Sequence, residues 1–333
     1  MTAPAATGDW LLLETLVDDL APTVVAEGAQ ARQWVGPIWL HRKLGKQRAE
    51  LAFDAVLRCR AERVSVREVV DGQLVVAEPV RCAFDGVHGV QVWIGDAEAT
   101  VPPRRRVGAW DWAADSELAY HGPGLEELIF ARDPAEVKVV RTPPDAFGRM
   151  VGFDGRVEYF AMATALEPGG CWQGVVDMLG DDDVLRGFQM VARAAPRVRR
   201  VSGLMHALPE HGWETTVSDP ELAMLRAVSQ RVDVGVGVIT LSSAIIYEWV
   251  VEPPPPLAPW AVERPIIDAG DLAALRAACA VVARDPGAIE RLTLRVRFAG
   301  GDWILAMAEL VSLATAASGH GLLRVWTEDP GAG

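Results

Sequence analysis

The sequence predicts an α+β fold made of three successive modules, each an antiparallel sheet flanked by short helices. One order of elements, two short strands, a helix and then a run of strands, recurs three times along the 333 residues at a period of about 100. Turn dipeptides, Asp71-Gly72, Asp154-Gly155 and Gly300-Gly301, sit where a late hairpin falls in each repeat. A composition of 50% hydrophobic and 23% charged residues belongs to a folded chain. The expected module boundaries are 1–106, 107–218 and 219–333.

In the first module residues 9–15 and 23–28 read as strands. Residues 46–60 read as a helix, because Leu51, Ala55 and Leu57 recur at helical spacing. Residues 65–70 and 73–76 flank Asp71-Gly72 as a hairpin, since that dipeptide tolerates the positive φ angles of a type I′ turn. Residues 80–84 and 90–94 complete the sheet.

The second module opens after Pro102-Pro103-Arg104-Arg105-Arg106, with strands at 108–112 and 117–121 and a short helix at 124–130. Residues 149–153 and 156–163 are expected to pair as a hairpin around Asp154-Gly155, setting Met150 opposite Tyr159 and Gly152 opposite Val157. Residues 171–178 form the last strand. Asp181-Asp182-Asp183 is expected to start a helix running to about residue 193, with negative charge at the favoured N-terminal end.

In the third module strands at 234–240 and 244–251 precede the loop Pro253-Pro254-Pro255-Pro256, whose fixed φ angles and missing N–H groups exclude a central strand. Asp268-Ala269-Gly270-Asp271 caps a helix over 272–283. Residues 292–298 and 303–313 form a hairpin and 321–326 the closing strand. With Gly300-Gly301 as a two-residue turn, Phe298 faces Trp303, Val296 faces Leu305 and Leu294 faces Met307 on one apolar side.

This layout resembles the PAS domain. The segments that carry the likeness are Gly108-Ala109-Trp110-Asp111-Trp112, Trp172-Gln173-Gly174-Val175-Val176-Asp177, Pro265-Ile266-Ile267-Asp268-Ala269-Gly270-Asp271-Leu272 and Arg295-Val296-Arg297-Phe298-Ala299-Gly300-Gly301-Asp302-Trp303. The whole chain is similar to an uncharacterised actinobacterial tridomain family of PAS, GAF and PAS modules, which opens with a sequence like Asp9-Trp10-Leu11-Leu12-Leu13-Glu14-Thr15-Leu16. The resemblance implies three tandem PAS/GAF-like modules and leaves the middle one as either PAS or GAF.

Templates for catalysis are missing from the sequence. There is no G-x-x-x-x-G-K-[ST], H-E-x-x-H or G-x-S-x-G, and Gly235 and Gly237 continue without the third glycine of a dinucleotide fingerprint. His206 and His211 are five apart, off the i,i+4 spacing that aims two imidazoles at one metal, and His121 alone reads as a hydrogen-bonded surface group rather than a haem ligand. The carboxylate runs Asp18-Asp19, Glu126-Glu127 and Asp181-Asp182-Asp183 read as solvated caps. Cys59, Cys82, Cys171 and Cys279 lack any C-x-x-C pair and read as isolated reduced thiols. No cofactor is indicated.

A net charge of −13 disfavours a nucleic-acid or anionic membrane partner, so Arg104-Arg105-Arg106 and Arg197-Val198-Arg199-Arg200 are expected to pair with acidic faces of neighbouring modules. No segment has the roughly 18 uninterrupted apolar residues of a membrane span. The first eight residues lack the basic region of a secretory signal. These readings predict a cytoplasmic protein. Twelve tryptophans against three tyrosines and eight phenylalanines point to core or interface packing at Trp110, Trp112, Trp172, Trp303 and Trp326.

The expected function is a sensory or signalling adaptor that binds a small ligand, a protein partner or a second copy of itself as a homodimer, without catalysis of its own. The alternatives are an enzyme of unrecognised type and a ligand-free structural interaction module. In a PAS-like module a ligand lies between the concave sheet face and the short helices. For the middle module this nominates Trp112, Met150, Val157 and Tyr159, with the Tyr159 hydroxyl orienting a polar group; the alternative reading is that the same four simply fill the core.

Overall fold

The computed structural model describes residues 8–209, 233–313 and 319–327. The first seven residues and His211 lie outside them. In chain order the strands and helices begin with β1 (Leu11–Glu14), β2 (Thr23–Glu27), β3 (Gln30–Val35), α1 (Pro37–Leu44), α2 (Lys46–Glu62), β4 (Val66–Val70), β5 (Gln73–Arg81) and β6 (Val87–Asp96). They continue with β7 (Val107–Ala113), β8 (Leu118–His121), α3 (Leu125–Ile129), β9 (Val140–Arg141), α4 (Pro143–Phe147), β10 (Met150–Phe153), α5 (Arg156–Ala165), β11 (Cys171–Leu179), β12 (Leu185–Ala195) and β13 (Arg200–Ala207). The last group is β14 (Gly235–Thr240), β15 (Ile245–Val251), β16 (Ile266–Ile267), α6 (Ala269–Arg284), β17 (Ile289–Arg297), β18 (Ile304–Ser312) and β19 (His320–Trp326). The fold is α+β, built on antiparallel sheets with a few helices.

The described residues form two compact units. The first takes residues up to 115, 120–140 and 166–209; the second takes 116–119, 141–165 and the remainder from 233. In the first unit a six-stranded sheet runs β3-β2-β1-β6-β5-β4. Asp71 and Gly72 turn β4 into β5 with φ of 51° and 74°, as a type I′ turn requires. One face of this sheet, with Leu11, Leu13, Val75, Ala77, Val90 and Val92, is covered by Leu40 of α1 and by Ala49, Ala52, Ala55, Val56 and Cys59 of α2. Small residues on α2 let the helix sit close, and that interior is solid apolar packing.

The opposite face carries Leu12, Val25, Ala26, Val80 and Cys82, which pack against Ala109, Val191 and Leu204. Those three belong to β7, β12 and β13 of a second sheet, where β11-β12-β13-β7 lie side by side. The two sheets approach so closely that a Cβ at Gly89 would lie 2.8 Å from Leu204 Cδ1. Stacking alternate faces of the strands explains why both sheets read as apolar with scattered polar positions.

The second unit holds a six-stranded sheet in the order β15-β14-β19-β18-β17-β16. Its apolar face packs on α6 through Leu275, Ala278, Cys279 and Val282, together with Trp249, Trp260 and Phe298. Asp268 caps α6 by accepting from the amides of Gly270 and Asp271 at 3.0 and 3.4 Å, as expected of an N-cap carboxylate. On the same unit Phe160 of α5 stacks on Tyr247 of β15 with ring centroids 4.6 Å apart.

Four expectations are corrected. Residues 156–165 are the helix α5, so no hairpin forms at Asp154-Gly155 and Met150 does not face Tyr159 across strands. Ala161, Met162, Ala163 and Ala165 favour a helix, and Tyr159, Phe160 and Ala163 form its buried face at helical spacing. Residues 185–195 form the strand β12, not a helix, because the aspartates make a turn: Asp183 has φ of 58° and the Asp182 carboxylate accepts from the Val184 amide at 3.3 Å. Residues 73–81 form one continuous strand.

The fourth correction is a register. Val296 pairs with Ile304 and Leu294 with Ala306, one residue off the two-residue turn. A one-residue slip reverses the faces of a strand, so Ala306, Ala308 and Leu310 point inward while Trp303 and Leu305 are 47% and 54% exposed. Trp110, Trp112 and Trp172 are buried as expected.

Candidate functional site

The β5–β6 hairpin ends in a tight loop in which the Cys82 amide donates to the Gly86 carbonyl at 3.0 Å and Asp85 takes φ of 60°. This closure brings Cys82 and His88 together on the face turned toward the second sheet. From that sheet Asp111 on β7 and Ser202 on β13, which are paired across the ladder, reach the same point. His88 Nε2 lies 2.8 Å from Asp111 Oδ1, and Ser202 Oγ donates to the same oxygen at 2.6 Å. One side-chain atom each of Cys82, His88 and Asp111 lies within 4.8 Å of the others.

Asp111 is 1% exposed, and its Oδ2 has no hydrogen-bond partner among the described residues. Burying a carboxylate costs several kcal/mol unless its oxygens are matched. For His88 burial opposes the charged ring, but the hydrogen bonds and charges of Asp111 and Cys82 outweigh it and raise its pKa to about 9. Burial also pushes the Cys82 thiol up; His88 and the Phe84 amide, both hydrogen-bonded to it, win and lower its pKa overall. Cys59 and Cys279, without such partners, are driven up to about 12 and about 11 by burial.

The cluster opens on a cleft of about 620 Å³ that also takes in Thr15, Leu16, Asp18, Phe84, Arg197 and Arg200. The arrangement can bind a cation through sulfur, nitrogen and oxygen, orient a polar molecule, or hold a thiolate beside an imidazolium.

The residues nominated from sequence fall elsewhere. Trp112 is buried on β7 of the first unit, whereas Met150, Val157 and Tyr159 belong to the second. Tyr159 is buried against Phe147, Phe153 and Phe160 with centroids 6.0, 5.3 and 5.5 Å away, and burial raises its pKa. His121 and Glu126 are buried rather than solvated: His121 Nδ1 lies 3.0 Å from Glu126 Oε1, and Arg132 and the Lys138 amide hold the other oxygen at 3.2 and 2.9 Å. Arg197 pairs with Asp19, an acidic partner outside its own expected module, whereas Arg104 pairs with Glu78 and Arg199 with Asp115 within theirs, so only one of these contacts follows the expectation for the basic runs.

Cys82 is the thiol that the isolated-cysteine reading missed as a site residue. Its partners lie 6 and 29 positions away on two different strands, β6 and β7, beyond the reach of any spacing motif. The one local signal was Asp85-Gly86, a turn dipeptide that folds position 82 back toward 88.

Among known proteins, residues 9–103 match the family model described as Rv3651-like, N-terminal. An uncharacterised protein from Mycobacterium tuberculosis has a crystal structure similar at a TM-score of 0.78 and 18% identity, over 97% of this chain and 97% of that one, and so shares its fold. A sensory box histidine kinase/response regulator from Burkholderia thailandensis E264 aligns at 17% identity and a TM-score of 0.24, over 37% of this chain and 86% of that one, a likeness too slight to carry any argument. No curated protein matches. The fold is thus shared along nearly the whole chain, and the family match is confined to its N-terminal part.

Proposed function

We propose that this chain is a sensory module that reads a small ligand in the cleft at Cys82, His88 and Asp111 and passes its state to a protein partner. The observation that carries the reading is the buried Asp111 carboxylate, with one oxygen shared by His88 and Ser202 and the other unmatched, at the wall of a cleft large enough for a small molecule. The packed interior between the first sheet and α2 supports placing the ligand there rather than under the helix.

The PAS-like reading belongs to the same proposal, with modules over 1–106, 107–218 and 219–333. It is supported by the first and third sheets, in which the opening strand lies beside the closing one, β1 by β6 and β14 by β19. Among the described residues no helix is long and apolar enough to cross a membrane.

Native mass spectrometry of the purified full chain tests the reading. The expected result is a non-covalent mass on the wild type that is lost on denaturation and absent from a His88→Ala variant with an unchanged circular dichroism spectrum. A bare wild type, or a bound mass indifferent to His88→Ala, would overturn it.

A further inference from the structure

We propose that Cys82, His88 and Asp111 bind a divalent metal ion of the zinc class, with a fourth coordination position open to the cleft. The proposal names the ligand class of the site above and rests on that reading. In tetrahedral zinc sites metal–sulfur bonds of about 2.3 Å and metal–nitrogen or –oxygen bonds of about 2.0–2.2 Å place the donor atoms roughly 3.3–3.7 Å apart. The three donors here already lie within 4.8 Å of one another, so an ion needs only small side-chain rotations.

The donor set selects the metal. Magnesium and calcium take oxygen almost exclusively, whereas one thiolate, one imidazole and one carboxylate suit zinc or cobalt. A partner of one ligand is in place as well. Ser202 Oγ donates to Asp111 Oδ1 at 2.6 Å, a contact that orients this ligand. The second oxygen of Asp111 is buried without a partner, so the carboxylate keeps capacity that an ion would use. All three donors stand in or at the ends of sheet strands, which hold their geometry better than free loops.

Three donors leave one tetrahedral position, which would hold water or a ligand atom from the cleft, as in open zinc sites. Because two ligands come from one sheet and the third from its neighbour, binding would also lock the sheets of the first unit together and stabilise the folded chain.

The test uses the full-length protein stripped with a chelator and titrated with Co²⁺ and then Zn²⁺. The expected result is one Co²⁺ per chain with tetrahedral visible bands and an intense near-ultraviolet thiolate-to-cobalt band, displaced by Zn²⁺. The thiolate band should persist in Cys171→Ser and vanish in Cys82→Ser. If Cys82→Ser fails to fold, His88→Gln decides: it should keep the band while weakening affinity about tenfold or more. No thiolate band in the wild type, a band abolished by Cys171→Ser instead, or unchanged affinity in His88→Gln would overturn the proposal. If cobalt does not bind yet native mass spectrometry finds an organic molecule lost in His88→Ala, the metal assignment falls and the sensory reading stands; if neither is found, both fall.

Discussion

His88 on β6 and Asp111 on β7 meet at 2.8 Å although they belong to different sheets of the first unit. The contact is one of several polar links across the sheet-on-sheet interface, beside Gln189 to the Val25 carbonyl and Arg193 to Glu14, and it is flanked by Leu12, Val80, Ala109 and Leu204. Apolar side chains would fill that position at lower cost, which supports the proposed binding role.

Ser202 is the partner that keeps Asp111 tolerable in this interface. Replacing it with Ala removes a 2.6 Å hydrogen bond to a buried carboxylate and should destabilise the chain by about 1–3 kcal/mol in urea unfolding. An unchanged midpoint would show that water reaches Asp111 freely.

Glu126 is fully buried between His121 and Arg132. Glu126→Ala strips both of their carboxylate partner and should cost about 3–5 kcal/mol, the penalty of leaving one half of a buried pair. Calorimetry of the variant should show a clearly lower unfolding temperature; a wild-type melt would contradict the buried-pair account.

His206 gives the first unit an acid sensitivity. Burial, followed by the Arg105 charge, lowers its pKa from 6.5 to about 4. Below pH 6.5 the unfolded chain takes up the proton first, so the stability due to neutral His206 is whole above that pH and is lost as pH falls toward 4. At pH 5 the loss is about 2 kcal/mol. Denaturation of wild type and His206→Gln at pH 7 and pH 5 should give a difference between the two proteins that narrows by that amount at pH 5. Equal pH dependence in both would count against it.

Thiol labelling of the native protein should be fast at Cys171, which is exposed, and negligible at Cys59 and Cys279, which are buried and have raised pKa values. Mass mapping after brief alkylation reads this directly. Prompt labelling of Cys59 would mean that α2 opens from its sheet.

Strand positions were legible where a turn dipeptide sat between alternating residues: Asp71-Gly72 turned as expected because both residues take positive φ. The same signal misled at Asp154-Gly155, where alternation of Val157 and Tyr159 coexists with the alanines of α5 and the helical period won. The acidic triplet before β12 looked like a helix start because carboxylates favour helix N-termini, yet their side chains cap turns equally well. At Gly300-Gly301 the loop is longer than two residues, and one position of slip moved Trp303 and Leu305 outward. The site itself was beyond sequence reasoning, since Cys82, His88 and Asp111 come together only when two sheets stack.

The central claim is that the ligand of this protein sits at Cys82, His88 and Asp111. A crystal structure of the full chain as purified, at a resolution that separates bound molecules from water, tests it most directly. The account predicts non-protein density in bonding contact with at least two of these side chains. Density lodged instead between the first sheet and α2, with His88 and Asp111 bonded only to each other and to water, would contradict it.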